Sequence, residues 1–199
     1  MGKRNNTNIM KKRKLKPNYS CFAAPHPTVV AGTFVNNKAT YTTLGDFGIL
    51  CAYPLHIYIA SVHTHYLNIG IKENMTFSVN IPNPDNLEKT DYVGIVSGHK
   101  TDKSKVFDYF VGDLESVPMI KEFPITMECE VHDIKRVGRN DVFMAKVINI
   151  YAGEEFLEDG EINMDKVNPI TLFMDLSYRT IGKTVGISYQ VGRNFKPKP

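Results

Sequence analysis

Thr28-Val29-Val30-Ala31-Gly32-Thr33-Phe34-Val35, followed by Asn36-Asn37-Lys38 and then Ala39-Thr40-Tyr41-Thr42-Thr43, is the stretch whose reading decides the fold. Its first run is β-branched and aromatic, the composition that a pleated, half-buried surface selects. Two asparagines follow, and asparagine tolerates the left-handed backbone that a tight turn requires. The segment therefore reads as a β-hairpin, with strands over 28–35 and 39–43.

The same signals recur outward from this hairpin. Leu55 to His63 alternates weakly, as a strand buried on both faces does. Thr76 to Ile81 alternates well and stops at Pro82. Ile125–Ile134 and Val142–Ile150 flank a turn at Gly138–Asn140 and predict a second hairpin, and Thr184–Tyr189 reads as a final strand. Helical signals are fewer: one short helix capped by Thr64 and running to Glu73, one over Asn86–Val96, and one over Ser104–Phe110. Six or more strands with small helices between them predict a mainly β fold, a closed or split barrel with a few short helices.

A chain of 199 residues, 42% hydrophobic and 23% charged, supports one domain with a real core. The net charge of +3 is unevenly spread. Residues 1–16 hold seven lysines and arginines and no acid, so the body keeps 17 of the 24 basic residues against all 21 acidic ones. The expected organisation is a basic flexible arm over 1–18, one domain over 19–193 and a short tail over 194–199. The arm reads as a solvated tail, and no nucleic-acid partner is expected. No apolar run reaches eighteen residues, which argues against a membrane-spanning helix. Cys21, Cys51 and Cys129 are odd in number and scattered, the pattern of reduced thiols in a cytoplasmic protein.

Several chemistries are excluded. The glycine-rich turn of a dinucleotide-binding α/β fold is absent. Gly182-Lys183-Thr184 resembles the end of a phosphate loop, but Ser177 stands where the first glycine belongs. No local signature for a nucleophilic serine or cysteine is present. His63-x-His65 has metal-like spacing without a third ligand nearby, so no metal site is expected. Glu128 and Glu130 share one strand face and read as solvated.

Polar and glycine clusters at strand ends remain. Asn37-x-x-Thr40-x-x-Thr43 follows the first turn. His63-Thr64 stands where a strand feeds a helix, a place where backbone N–H groups favour an anion. Ser97-Gly98-His99-Lys100-Thr101-Asp102-Lys103 joins hydroxyls, a glycine and cations in one loop, suited to an N–H nest with a lysine reaching in.

The order of these clusters resembles the flavin reductase-like family with the FMN-binding split β-barrel fold, and its flavoredoxin branch above all. The resemblance covers about residues 19–193. It rests on Pro25-x-Pro27, Asn37-x-x-Thr40, Phe77-x-Val79-Asn80-Ile81-Pro82, Asp91-x-x-Gly94-x-x-Ser97-Gly98-x-x-x-Asp102-Lys103, Met127-Glu128-Cys129 and Tyr178-x-x-x-Gly182. It implies a homodimer with one FMN per subunit near the interface, fed by NAD(P)H or by a redox protein. Asn37 and Thr40 would contact the isoalloxazine, with His63 and Thr64 toward the phosphate. Ser97, Gly98 and Lys103 would hold phosphate or ribityl oxygens. Asn80 would support the strand beneath the cofactor, and Phe173 would form an apolar wall near the ring.

Two places depart from the family pattern. Thr43 stands where relatives carry a tryptophan packed near the flavin, and the chain has no tryptophan. Asn140-Asp141 occupies a hairpin position where relatives carry a histidine. Two readings of function follow: an FMN-dependent oxidoreductase moving electrons from a donor to an acceptor, and a non-catalytic FMN-binding or storage module. Catalysis in the first lies mostly in the cofactor.

Overall fold

The computed structural model describes residues 10–17 and 24–197. In chain order the strands are β1 (His26–Pro27), β2 (Val29–Val35), β3 (Lys38–Leu44), β4 (Phe47–Cys51), β5 (His56–Val62), β6 (Thr76–Ile81), β7 (Tyr109–Phe110) and β8 (Met119–Ile120). They continue as β9 (Ile125–Val137), β10 (Asn140–Ala152), β11 (Leu157–Glu158), β12 (Glu161–Ile162), β13 (Ile170–Leu172) and β14 (Tyr178–Thr180). Helices are α1 (Leu67–Asn74), α2 (Leu87–Ile95) and the single turn α3 (Met164–Val167). Seven strands form one antiparallel sheet in the order β3-β2-β6-β9-β10-β5-β4, and β1, β13 and β14 form a smaller one.

Both hairpins form as their sequences require. Asn36 and Asn37 take φ of 51° and 60° and turn β2 into β3, with Val35 opposite Lys38. Gly138 and Arg139 turn β9 into β10, whose pairing runs from Val137↔Asn140 to Ile125↔Ala152.

The large sheet wraps around one core. Val29 and Ala31 of β2, Leu44 of β3, Ile59 of β5, Phe77 of β6 and Phe143 of β10 meet in a single cluster with Leu67 and Ile71 of α1. Helix α1 lies directly on β2, because a Cβ on Gly70 would stand 2.3 Å from the Phe34 carbonyl oxygen. Behind the β2–β3 hairpin, Val30 and Tyr41 pack against Val93 of α2 and Phe107 in a second cluster. Strand β2 is thus buried on both faces, and its hairpin is a wall between two layers.

The structure corrects four local expectations. Residues 184–189 form no strand: they have no paired neighbour, Val185 and Tyr189 are exposed, and the last strand is Tyr178–Thr180. Residues 104–110 form no helix, because Phe107 is drawn into the second cluster and Tyr109–Phe110 pairs with Met119–Ile120. Helix α1 begins at Leu67 rather than Thr64, and Tyr66 precedes it without a side-chain cap. An edge strand, β4, occupies Phe47–Cys51, a run to which the sequence reading assigned no strand.

Residues 10–17 of the basic arm are exposed and without helix or strand. The rest of the arm, with Cys21, lies outside the described residues. Cys51 is an exposed free thiol and Cys129 a buried one.

Candidate functional site

The Ser97–Lys103 loop folds back on itself at the C-terminal end of α2. The Ser97 carbonyl accepts from the Lys100 and Thr101 backbone N–H groups at 3.0 and 2.9 Å. Gly98 lies against Tyr66, where a Cβ would stand 2.8 Å from the tyrosine Cβ, so only glycine lets the loop approach. His99 closes the other side, its Nε2 3.1 Å from the Thr64 carbonyl oxygen and its ring edge-on to Tyr66 at 5.0 Å.

Lys103 is the anchor. It is 4% exposed, and its ammonium donates to the carbonyls of Tyr41 at 2.9 Å and Val93 at 2.7 Å. Val93 lies in the last turn of α2, where carbonyls have no partner within the helix, so the lysine also caps that end. A lysine ammonium has three N–H groups, and these two bonds leave one to spare. No carboxylate pairs with it, and burial lowers its pKa to about 8. Its charge, after burial, also helps hold the His65 imidazole below its ordinary pKa.

Between this loop and β3 lies a cavity of about 270 Å³ lined by Lys38, Thr40, Tyr66, Gly98, Lys100 and Lys103, among others. Lys38 donates to Asp102 at 2.8 Å across the rim. That bond, with those from Ser104, holds the Asp102 carboxyl well below the usual carboxylate range. Among the lining residues three lysines face one aspartate, so the cavity favours an anion.

The structure brings Thr40, Gly98 and Lys103 together here, with Ser97 and Thr64 beside them through the loop turn and the His99 bond. It places the other expected residues elsewhere. Asn37 is exposed in the β2–β3 turn, next to Lys38. The His63 ring lies 2.9 Å from the Arg139 carbonyl oxygen at the β9–β10 turn. Thr43 donates from its hydroxyl to the Thr90 carbonyl of α2, and Gly94 lies so near that its Cβ would be 3.2 Å from the Thr43 side chain. A small residue at 43 is what allows that approach, and a tryptophan would displace the helix. Phe173 stacks under the Arg179 guanidinium at 4.5 Å beside the small sheet.

Asn80 is a framework residue. Its amide donates to the Val30 carbonyl and to Ser78 Oγ, each at 2.9 Å, and accepts from the Ile120 N–H at 2.9 Å. Asp141, at the altered hairpin, is buried and receives Lys72 at 2.8 Å, Arg136 at 2.7 Å and Asn68 at 3.2 Å. Burial pushes its pKa up, and those three donors outweigh burial and bring it below the ordinary value.

Glu128 departs most from its sequence reading. It is fully buried while Glu130 is exposed, so the two carboxylates do not share a solvated face. Glu128 accepts from Asn149 at 2.6 Å, Tyr151 at 2.9 Å, and the backbone N–H groups of Leu114 at 2.9 Å and Asp113 at 3.3 Å. Tyr66 and Lys38 were missed as site residues. The Tyr66 contact depends on how α1 meets the loop, and Lys38 pairs with an aspartate 64 positions away.

A coiled antiparallel sheet with a helix plug and a cationic cavity at one edge defines a mainly β, split-barrel protein. Residues 21–182 match the model of the flavin reductase like domain, and the chain belongs to that family. The fold is similar to a flavoredoxin from Methanosarcina acetivorans, with 37% identity and a TM-score of 0.87 over 92% of this chain and 98% of that one. The flavoredoxin of Desulfovibrio vulgaris (Miyazaki F) shares the fold at 23% identity and a TM-score of 0.83, over 92% of this chain and 100% of that one. An uncharacterised protein of Pyrococcus abyssi is 32% identical over 105 residues, 51% of this chain and 57% of that protein. The chain thus spans a little under two thirds of the length of the curated relatives it matches, 57% and 62%.

Proposed function

We propose that this chain is an FMN-dependent oxidoreductase of the flavin reductase and flavoredoxin type, working in the cytoplasm as a homodimer. It takes electrons from a reduced nicotinamide or a protein donor and passes them to an acceptor. Family membership supports the flavin, and the likeness to the Methanosarcina acetivorans flavoredoxin supports the electron-transfer role. The observation that carries the reading to this cavity is the buried Lys103 ammonium, with two N–H groups spent on carbonyls and no carboxylate partner. A phosphate is the group that such a cation suits.

The residues fit the phosphate end of FMN. Lys103 and Lys100 would neutralise the phosphate, Thr40, expected at the ring, would instead donate its hydroxyl at this end because it lines the same cavity, and the Gly98 backbone would lie against the ribityl chain. Bound FMN would supply the one- and two-electron chemistry, which no amino-acid side chain offers. The cavity is smaller than the usual 300–1,000 Å³ of small-molecule sites, so it suits part of the cofactor. The ring then needs a further wall, and a second subunit is the natural source. Among the described residues no helix is long and apolar enough to cross a membrane.

The test is direct. Purified protein, reconstituted with FMN and freed of excess, should keep the visible flavin absorbance, and NADH or NADPH should bleach it anaerobically. A chain that retains no FMN would overturn the assignment. Retention without bleaching by either nicotinamide would favour the non-catalytic FMN-binding module, unless a protein donor reduces the flavin.

A further inference from the structure

Past the small sheet the chain carries apolar side chains that its own fold does not cover. Ile181, Val185, Ile187, Tyr189, Val191 and Phe195 are all exposed, Tyr189 by 93% and Phe195 by 78%. Single exposed apolar groups are ordinary, but a run of them this dense is the mark of an interaction surface. The segment is nevertheless shaped. The Ile187 carbonyl accepts from the backbone N–H groups of Gln190 and Val191 at 3.1 and 3.2 Å, Gln190 from Arg193 at 3.1 Å, and Gly192 from Phe195 at 3.1 Å. Val191 turns back on Gly186, where a Cβ would stand 2.5 Å from the valine side chain. These local bonds set the turns of residues 187–195 and pair none of them with the sheets.

Charge selects the surface that covers it. No acid follows Asp175, whereas Arg179, Lys183, Arg193, Lys196 and Lys198 do. The cavity beside Lys103 is itself cationic and repels such a segment. The opposite character stands at β11–β12 and α3. Glu158, Asp159, Glu161 and Asp165 are exposed there, with exposed Ile162 and Met164 among them, and Lys166 donates to the Leu157 carbonyl at 2.7 Å. Among the described residues no ion pair engages any of these four carboxylates, nor Lys183 or Arg193. The root of the segment, Ile181–Gly186, already borders Met164 and Asp165 of its own chain, and the apolar groups beyond it stay bare all the same. One copy thus leaves both surfaces open. Two copies close both, because in a twofold dimer each gives its segment to the other.

We propose that residues 181–195 form an intersubunit arm that docks on a second copy of this chain, across the acidic face of its β11–β12 hairpin and α3. Ile187, Tyr189, Val191 and Phe195 would lie against Ile162 and Met164 of that copy, with the lysines and arginine of the arm facing its carboxylates. The arm presupposes the homodimer proposed above, but not its flavin.

Isotopically light and heavy full chains, mixed and allowed to exchange, are joined with a zero-length carbodiimide, which links a lysine amine to a carboxylate it touches. Links from Lys183 or Lys196 to Glu158, Asp159, Glu161 or Asp165 should appear between light and heavy peptides. Val191→Glu with Phe195→Glu changes only exposed side chains and should raise the dimer Kd in sedimentation at least about tenfold. Glu161→Lys with Asp165→Lys should weaken the dimer too, and adding Lys183→Glu with Arg193→Glu should restore part of the loss. Links confined to one isotope would put the segment on its own chain and overturn the arm. A dimer whose Kd ignores both pairs of substitutions would overturn it and leave the homodimer standing, whereas a parent that is monomeric at every concentration would remove both. Uptake of the parent by anionic phosphatidylglycerol vesicles, lost in the Val191→Glu, Phe195→Glu variant while its dimer Kd is unchanged, would assign the segment to a lipid surface instead.

Discussion

Replacing Lys103 by methionine removes a buried ammonium and keeps most of the side-chain volume. Two carbonyls, of Tyr41 and Val93, then lose their donor. An unsatisfied buried acceptor costs about 1–3 kcal/mol, and relief from burying an unpaired charge offsets part of that. A net loss of about 1–3 kcal/mol is expected, and the protein should still fold. The effect on ligand binding is separate. A charge-assisted bond to phosphate is worth about 1.5–3 kcal/mol, so FMN affinity should fall roughly tenfold to a hundredfold. Riboflavin, which lacks the phosphate, should bind nearly as before.

The pH dependence carries a sign of its own. Burial lowers the Lys103 pKa to about 8 from the 10.5 of the free side chain. Between those values the unfolded chain holds a proton that the folded chain has released, so the folded state gains stability as pH rises through this window. The cost of the buried charge is fully present below about pH 8. Phosphate binds the charged form, so FMN affinity should decline as pH rises above about 8, with a proton taken up on binding. Calorimetry at about pH 7 and about pH 9, in buffers of different ionisation enthalpy, reads both effects. Equal weakening of FMN and riboflavin in the variant, or an FMN affinity indifferent to pH in the parent, would refute the role given to Lys103.

Other consequences follow from the same geometry. Glu128→Leu leaves four donors without an acceptor and should cost more than about 3 kcal/mol, a fall in Tm of roughly 6–12 °C by calorimetry. Burial raises the Glu128 pKa, but the bonds from Asn149, Leu114, Tyr151 and Asp113 outweigh it and lower it below 4.5. Its contribution is therefore complete above about pH 4.5 and fades as acid titrates the folded carboxylate, which acid unfolding of parent and variant should show. Gly70→Ala puts a methyl 2.3 Å from the Phe34 carbonyl oxygen and should cost about 1–3 kcal/mol or more, whereas an unchanged thermal melt would mean that α1 does not lie so close to β2. If FMN binds where two subunits meet, the apo-protein should dissociate on dilution more readily than the holo-protein. FMN at a hundred times its Kd adds about 2.7 kcal/mol to the dimer, and sedimentation of a tightly binding monomer would exclude an interface site.

Local order was legible in the sequence because strands and tight turns are short-range features. The period-two run Thr76–Ile81 appears with its bounds unchanged, and Asn36-Asn37 turns the chain where two asparagines permit left-handed backbone. The loop from Ser97 to Lys103 was also legible as one polar, cationic cluster, since its glycine, hydroxyls and cations are contiguous. Which cation is buried and what it touches was not, because Lys103 meets Tyr41 from 62 positions away. The same limit explains Glu128, whose alternation with Glu130 says nothing of the Asn149 and Tyr151 donors that a neighbouring strand brings to it. It also explains residues 184–189, where strand-forming composition finds no partner strand. Sequence alone determined the two hairpin turns and the main extended runs that flank them. The wrapping of the sheet decided which polar groups lose water and meet one another, because burial and long-range pairing are properties of the folded whole.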